Sequence, residues 1–134
     1  AMRCGGVELI DDSYNANPAS MHAALRAFAE ITRSGRKFVL LGEMMELGES
    51  SSAAHKEVLD GLEPFDGCFL VGAGFAEWLN SDSHFTAQAD EQLIQRISDA
   101  LKPGDSLLIK GSNRVFWASS FVQQLAQALQ MKQA

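Results

Sequence analysis

The chain is poor in the residues that make small covalently braced proteins. It carries two cysteines, three prolines and one tyrosine in 134 residues. Cys4 and Cys68 are far apart and form no CxxC pair, so neither a disulfide framework nor a cysteine zinc site is written here. Both read as buried free thiols in a reducing compartment. No apolar run reaches the length of a membrane span, and no basic stretch followed by an apolar one opens the chain. The expected location is the cytoplasm. Basic residues are also scarce, 11 against 17 acidic, for a formal charge of −6. That balance argues against a nucleic-acid or anionic-membrane surface. It leaves room for an anionic nucleotide, which one local cluster of N–H groups and cations can hold. His22 and His84 have no partners at metal-ligand spacing, so no metal site is expected.

What is present is a regular alternation. Short apolar runs at 7–11, 37–41, 67–71 and 106–109 read as strands, with a weaker candidate at 83–87. Between them lie amphipathic stretches. Pro18–Arg33 repeats apolar residues at Met21, Ala24, Leu25, Phe28 and Ile31, with Asn17 as a cap and Pro18 in the first turn. Ser51–Leu62 and Asp90–Leu101 read as further helices, the latter capped by Asp90 with Leu93, Ile94, Ile97 and Leu101 on one face. A short helix is expected at about 75–80, and a last long one at about 115–131 with Trp117, Phe121, Val122, Leu125 and Leu129 inward. Continuous runs such as Phe38-Val39-Leu40-Leu41 are the mark of strands covered on both faces. The expected fold is therefore α/β: one domain over residues 1–134, Rossmann-like, in three αβα layers around a mostly parallel sheet.

Ligands of such sheets bind beyond the carboxyl ends of the strands. Three segments in those places are unusual. Asp11-Asp12-Ser13-Tyr14-Asn15-Ala16-Asn17-Pro18 places six polar side chains where two or three residues would make the crossing. A carboxylate there can accept both ribose hydroxyls, although turn formation and helix capping call for the same residue types. Gly42-Glu43-Met44-Met45-Glu46-Leu47-Gly48-Glu49 brackets carboxylates and thioethers with glycines. It suits an ammonium or a metal-bound water, or equally a loop whose methionines fill a packing gap. Lys110-Gly111-Ser112-Asn113-Arg114 offers a lysine, a hydroxyl and an arginine ahead of a helix, either a carboxylate or phosphate receptor or a solvated charge cluster. It lacks the full phosphate-loop pattern. His55 reads as a structural residue in a helix, and Gly72-Ala73-Gly74 is too short an echo of a nucleotide turn to carry weight.

Taken together, Ile10-Asp11-Asp12-Ser13-Tyr14-Asn15-Ala16-Asn17-Pro18 with Ser20-Met21, Leu41-Gly42-Glu43-Met44-Met45-Glu46-Leu47-Gly48 with His55, and Ile109-Lys110-Gly111-Ser112 resemble the C-terminal domain of the Mur ligases. The first string is most similar to the members that add D-alanyl-D-alanine to UDP-MurNAc-tripeptide. The resemblance covers about residues 6–125. It departs from the family pattern in two places. Asn113 stands between Ser112 and Arg114, where the family reads Lys-Gly-Ser-Arg, and Glu43 replaces a more usual Asp. An edge strand that family domains carry before Val7 is expected to be shortened or missing.

The resemblance implies a three-domain, ATP- and Mg²⁺-dependent ligase of peptidoglycan precursor synthesis. In it, the tripeptide carboxylate is phosphorylated and the dipeptide amine attacks the acyl phosphate. The phosphate loop, the magnesium ligands and the catalytic lysine belong to a central domain, and the uridine site to an N-terminal one. This chain would be the third domain, without catalytic residues of its own, closing over ATP and presenting the acceptor. Asp12, Tyr14, Asn15 and Asn17 are the expected nucleotide contacts, and Lys110, Ser112 and Arg114 the acceptor contacts. Glu43 and Glu46 are further loop contacts, and no metal ligand is expected. The competing reading is a stand-alone nucleotide-binding or regulatory module of the same fold, which would not be preceded by a phosphate-loop domain.

Overall fold

Alternation along each strand decides which helix layer a residue meets. The computed structural model describes residues 2–31, 34–79, 84–86, 88–116 and 120–132, with 84–86, 113 and 114 as backbone only. Among the described residues there are six strands: β1 (Met2–Cys4), β2 (Val7–Asp12), β3 (Lys37–Gly42), β4 (Gly67–Val71), β5 (His84–Thr86) and β6 (Ser106–Lys110). The helices are α1 (Pro18–Glu30), α2 (Ser51–Asp60), α3 (Ala73–Ala76), α4 (Glu91–Ala100), α5 (Asn113–Phe116) and α6 (Phe121–Lys132). The sheet runs β1-β2-β6-β3-β4-β5, and only the β1–β2 pair is antiparallel. Leu9, Leu40, Leu107 and Ile109 face one way, onto Leu93, Ile97, Phe121, Leu125 and Leu129 of α4 and α6. Val39, Leu41, Leu70 and Leu108 face the other, onto Met21, Leu25, Phe28 and Val58 of α1 and α2. All five residues of β6 are buried, which is the continuous apolar signature of a central parallel strand. The three-layer, mostly parallel α/β architecture expected from the sequence is the one observed.

The element boundaries follow local chemistry. Asn17 caps α1 through its side chain to the Ser20 N–H at 2.9 Å, and the Ser20 hydroxyl returns the bond to the Asn17 N–H at 3.1 Å. Asp90 caps α4 through the Leu93 N–H at 3.2 Å. Helix α1 stops at Glu30, short of the expected Arg33, because Ile31 is already extended. The expected last helix is two helices. Ser120 has φ +54°, a left-handed conformation that a right-handed helix interior cannot contain, and its carbonyl accepts the first α6 bond from Gln124. Trp117 lies outside the described residues. Helix α3 begins at Ala73, earlier than expected; Asn80 of the expected span, and Ser83 and Ala87 flanking β5, also lie outside them. The family edge strand is present but short: β1 has three residues and returns into β2 through Gly5 and Gly6, both at positive φ, as a two-residue hairpin turn demands. Cys4 is buried as expected, whereas Cys68 is only partly so, and burial pushes its thiol pKa up.

At the amino edge of the sheet a single carboxylate ties the Lys102–Asp105 turn to Arg36. Asp105, 5% exposed, accepts from the Lys102 N–H at 2.8 Å, the Arg36 N–H at 3.2 Å and the Arg36 guanidinium at 2.8 Å. Burial alone would raise its pKa, but the hydrogen bonds from Arg36 and from the Lys102 and Arg36 backbone outweigh it and hold the carboxyl below its usual range. A depressed folded-state pKa stabilises the fold above the unfolded value, near 3.9, and that contribution is lost as pH falls below it. Asp105→Asn is therefore expected to cost about 1–3 kcal/mol at neutral pH. The difference from the parent should persist to about pH 5 and shrink below about pH 4 in urea melts.

Candidate functional site

The five parallel strands end on one edge, and their last residues stand side by side. Asp12 pairs in register with Lys110, and Lys110 with Leu41; Gly42 pairs with Val71, and Val71 with Thr86. The register thus brings the three unusual segments of the sequence to one place.

The loop after β2 is organised from within. Asp11 Oδ1 accepts from both the N–H and the hydroxyl of Ser13, a tight turn that buries Ser13. Asp12 points to the α1 side of the sheet. Its carboxylate lies 3.1 Å from Lys110 Nζ, which also donates to the Asn15 carbonyl at 2.8 Å. The lysine side chain is 5% exposed and the aspartate 48%. Tyr14 is 66% exposed, Asn15 is exposed, and Asn17 is held as the helix cap. Of the four expected nucleotide contacts, Asp12, Tyr14 and Asn15 therefore present surface at the ligand edge, while the side chain of Asn17 is committed to α1.

The second loop is stitched to α2 and α3. Glu43 donates its N–H to the Val71 carbonyl at 2.9 Å and accepts from the Gly74 N–H at 3.2 Å. Gly72, at φ +106°, has no room for a side chain, because a Cβ would stand 2.2 Å from the Glu43 carboxylate. His55 is fully buried. Its Nε2 accepts from the Met44 N–H at 3.0 Å, which leaves the proton on Nδ1, 2.6 Å from the Ser51 carbonyl. Phe75 packs edge-on to its ring at 4.7 Å. The structural reading of His55 thus has a physical content: the ring joins the loop, α2 and α3. Met44 fills the core, as the packing reading of this loop requires, whereas Glu46 is exposed and adopts φ +62°.

In the third segment Gly111 lets β6 approach β3, a Cβ there falling 3.0 Å from Gly42 Cα and 2.6 Å from Phe116. Ser112 is 8% exposed, and its hydroxyl has no hydrogen-bond partner among the described residues. The side chain of Arg114 lies outside the described residues. Lys110 does not face outward. As the last residue of β6 it alternates to the α1 side, the side on which Asp12 and the Asn15 carbonyl lie. Two clefts flank the end of β2. One, of about 360 Å³, is lined by Asp11, Phe116, Ser120, Val122 and Gln123. The other, of about 350 Å³, runs from Asp11 and Asp12 along Ile10, Ala24, Ala27, Phe28, Ile31 and Leu108. Asp11, which lines both clefts, was not among the expected contacts. Among the described residues no cluster of three His, Cys, Asp or Glu could hold a metal ion, and no helix is long and apolar enough to cross a membrane.

An α/β domain with its polar loops gathered at the carboxyl edge of a mostly parallel sheet is a nucleotide-type scaffold. A family model described as "Mur ligase, glutamate ligase domain" matches residues 2–113. The UDP-N-acetylmuramoyl-tripeptide–D-alanyl-D-alanine ligase of Bacillus subtilis (strain 168) is 33% identical over 118 residues, 80% of this chain and 25% of that protein. The ligase of the same name from Rickettsia prowazekii is 35% identical, again over 80% of the chain and 25% of the relative. Among solved structures, MurF ligase from Thermotoga maritima in complex with ADP superposes with a TM-score of 0.84 at 25% identity, covering 98% of this chain and 30% of that one. MurF from Acinetobacter baumannii gives 0.74 at 28%, over 95% of this chain and 29% of its own. The chain belongs to the Mur ligase family, as a C-terminal domain of the MurF type. It spans about a quarter of the length of the curated relatives it matches.

The buried histidine gives a direct test of how the second loop is held. His55→Leu keeps the ring's bulk in part but orphans the Met44 N–H. It is expected to lower unfolding free energy by about 1–3 kcal/mol in denaturant titrations. A loss below about 0.5 kcal/mol, the scale of an ordinary surface change, would mean the loop is held by packing alone.

Proposed function

We propose that this domain works within an ATP-dependent ligase that joins D-alanyl-D-alanine to UDP-MurNAc-tripeptide in the cytoplasm, as a step of peptidoglycan precursor synthesis. The observation that carries the reading is the meeting, at one sheet edge, of the Asp12 loop and the Lys110–Ser112 segment, in a chain whose relatives bear that ligase's name. The chemistry of such a ligase explains a separate third domain. ATP phosphorylates the tripeptide carboxylate, and the dipeptide amine attacks the acyl phosphate, expelling phosphate. Acyl phosphates react with water, so a domain that closes over the central ATPase domain protects the intermediate. Holding the amine beside it makes the attack effectively unimolecular. ATP and Mg²⁺ would be held mainly by the central domain, with the N-terminal domain and the UDP-linked tripeptide as the other partners.

In this reading Asp12 accepts from the ATP ribose, Tyr14 and Asn15 add surface beside it, and Asn17 fixes the loop from behind. The acceptor dipeptide arrives with a free amine and an inert carboxylate, which needs a donor-rich receptor. The Ser112 hydroxyl, buried and without a partner among the described residues, supports that role, with Arg114 as the cation. Of the two expected loop contacts, Glu46 is the more accessible, Glu43 being bound to Gly74.

The isolated chain is expected to release no phosphate above background when mixed with ATP, the UDP-linked tripeptide and the dipeptide; turnover by the pure chain would end this division of labour. In the full-length ligase, Asp12→Ala should raise the KM for ATP about tenfold or more, the scale of one charge-assisted hydrogen bond. Arg114→Ala should instead raise the dipeptide KM about 10- to 150-fold with little change for ATP. Unchanged ATP kinetics in the Asp12 variant, with only a lower melting temperature, would leave that loop as turn and cap chemistry.

A further inference from the structure

Lys110 is nearly inaccessible, yet it stands at the exit of β6, in the segment proposed to receive the acceptor. A buried ammonium is stable only when paired and hydrogen-bonded. Both of its partners among the described residues belong to the other loop: the Asp12 carboxylate at 3.1 Å and the Asn15 carbonyl at 2.8 Å. The two contacts span the turn Asp12–Asn15 and fix both ends of it. The Asp11–Ser13 bonds are internal to the loop and the Asn17–Ser20 bonds lie within the α1 cap, whereas the two Lys110 contacts tie the turn to the sheet from the α1 side. Asp12 remains half-exposed, so the carboxylate is oriented by the lysine beneath it while leaving surface toward a ligand.

We propose that Lys110 is a positioning residue for the Asp12–Asn15 turn, so that a side chain from the acceptor segment sets the geometry of the nucleotide loop. The inference rests on the reading of Asp12 as a ligand contact. It goes beyond that reading because it takes Lys110 out of the acceptor site and couples the two loops through one ammonium. Movement of β6 at its carboxyl end then moves Asp12 with it.

The test is a double-mutant cycle in the full-length ligase, with Lys110→Met, Asp12→Ala and the pair, reading the KM for ATP and for the dipeptide separately. Lys110→Met should reproduce the kinetic signature of Asp12→Ala. That means an ATP KM raised about 10- to 100-fold and a dipeptide KM changed less than about threefold, with the double variant adding less than about threefold more. Lys110→Gln, which keeps a donor for the Asn15 carbonyl, should fall between Lys110→Met and the parent, and it carries the comparison if Lys110→Met does not fold. A selective rise in the dipeptide KM on changing Lys110 that Asp12→Ala does not share, or losses that add in full, would overturn the proposal. So would unchanged KM values with only a lower melting temperature, since the pair would then be structural. Should Asp12→Ala shift the dipeptide KM and Lys110→Met follow it without adding, the nucleotide assignment fails while the positioning role stands.

Discussion

A charge at the end of a buried parallel strand has to be neutralised where it stands, and β6 carries one at each end. The strand itself is sequestered between β2 and β3, with every residue buried. Asp105 precedes it and is satisfied by Arg36 and the Lys102 backbone; Lys110 closes it and is satisfied by Asp12 and Asn15. The two pairs differ in what they leave open. At the amino edge every partner is structural, and the carboxylate is only 5% exposed. At the carboxyl edge the buried partner is the cation, and the carboxylate that answers it is half in solvent. The same device therefore locks one edge of the sheet and prepares the other.

The loops at the prepared edge divide in the same way between frame and face. His55, Glu43 and Gly72 tie the second loop to α2 and α3 by contacts that permit no larger side chain at Gly72 or Gly74. Ser13 and Asn17 are spent on turn and cap. Among the described side chains of these loops, Asp11, Asp12, Tyr14, Asn15, Glu46 and Glu49 are exposed. Glu46 keeps a left-handed backbone without being glycine, a conformation of modest cost that persists when its surroundings over-determine it.

Most of this organisation was legible in the sequence because it rests on periodicity and capping, which are local. The strands at 37, 67 and 106, the Asn17 and Asp90 caps and the gathering of three polar loops all follow from them. Two kinds of feature were not legible. The break before α6 depends on a left-handed Ser120, a residue type that helices tolerate, so no glycine or proline advertised it. The direction of Lys110 depends on strand register across 98 residues of separation from Asp12, which alternation within one strand cannot reveal. A lysine in a polar segment reads as a solvated cation or a receptor, and only the parallel pairing of β2 with β6 turns it inward. His55 was the converse case: the bland reading was the right one, but the loop it holds could not be named without the Met44 contact.

The division of this edge into frame and face also bears on why a domain of this kind would act with others. The exposed side chains described at this edge, such as Asp12 at 48% exposure, stand in water and do not by themselves desolvate a nucleotide phosphate chain or shield an acyl phosphate. In the proposed function those tasks fall to the central domain, and this edge contributes only when it closes. In that reading closure would convert half-exposed groups such as Asp12 into buried ones, and a carboxylate crossing that boundary would lose water as a partner. It needs a second partner already in place if the loop is not to rearrange at that moment. Lys110 is in place in the domain by itself, at 5% exposure and within hydrogen-bond distance. The ordering of the nucleotide loop is then a property of the sheet and precedes the ligand, which is how preorganisation lowers the cost of binding.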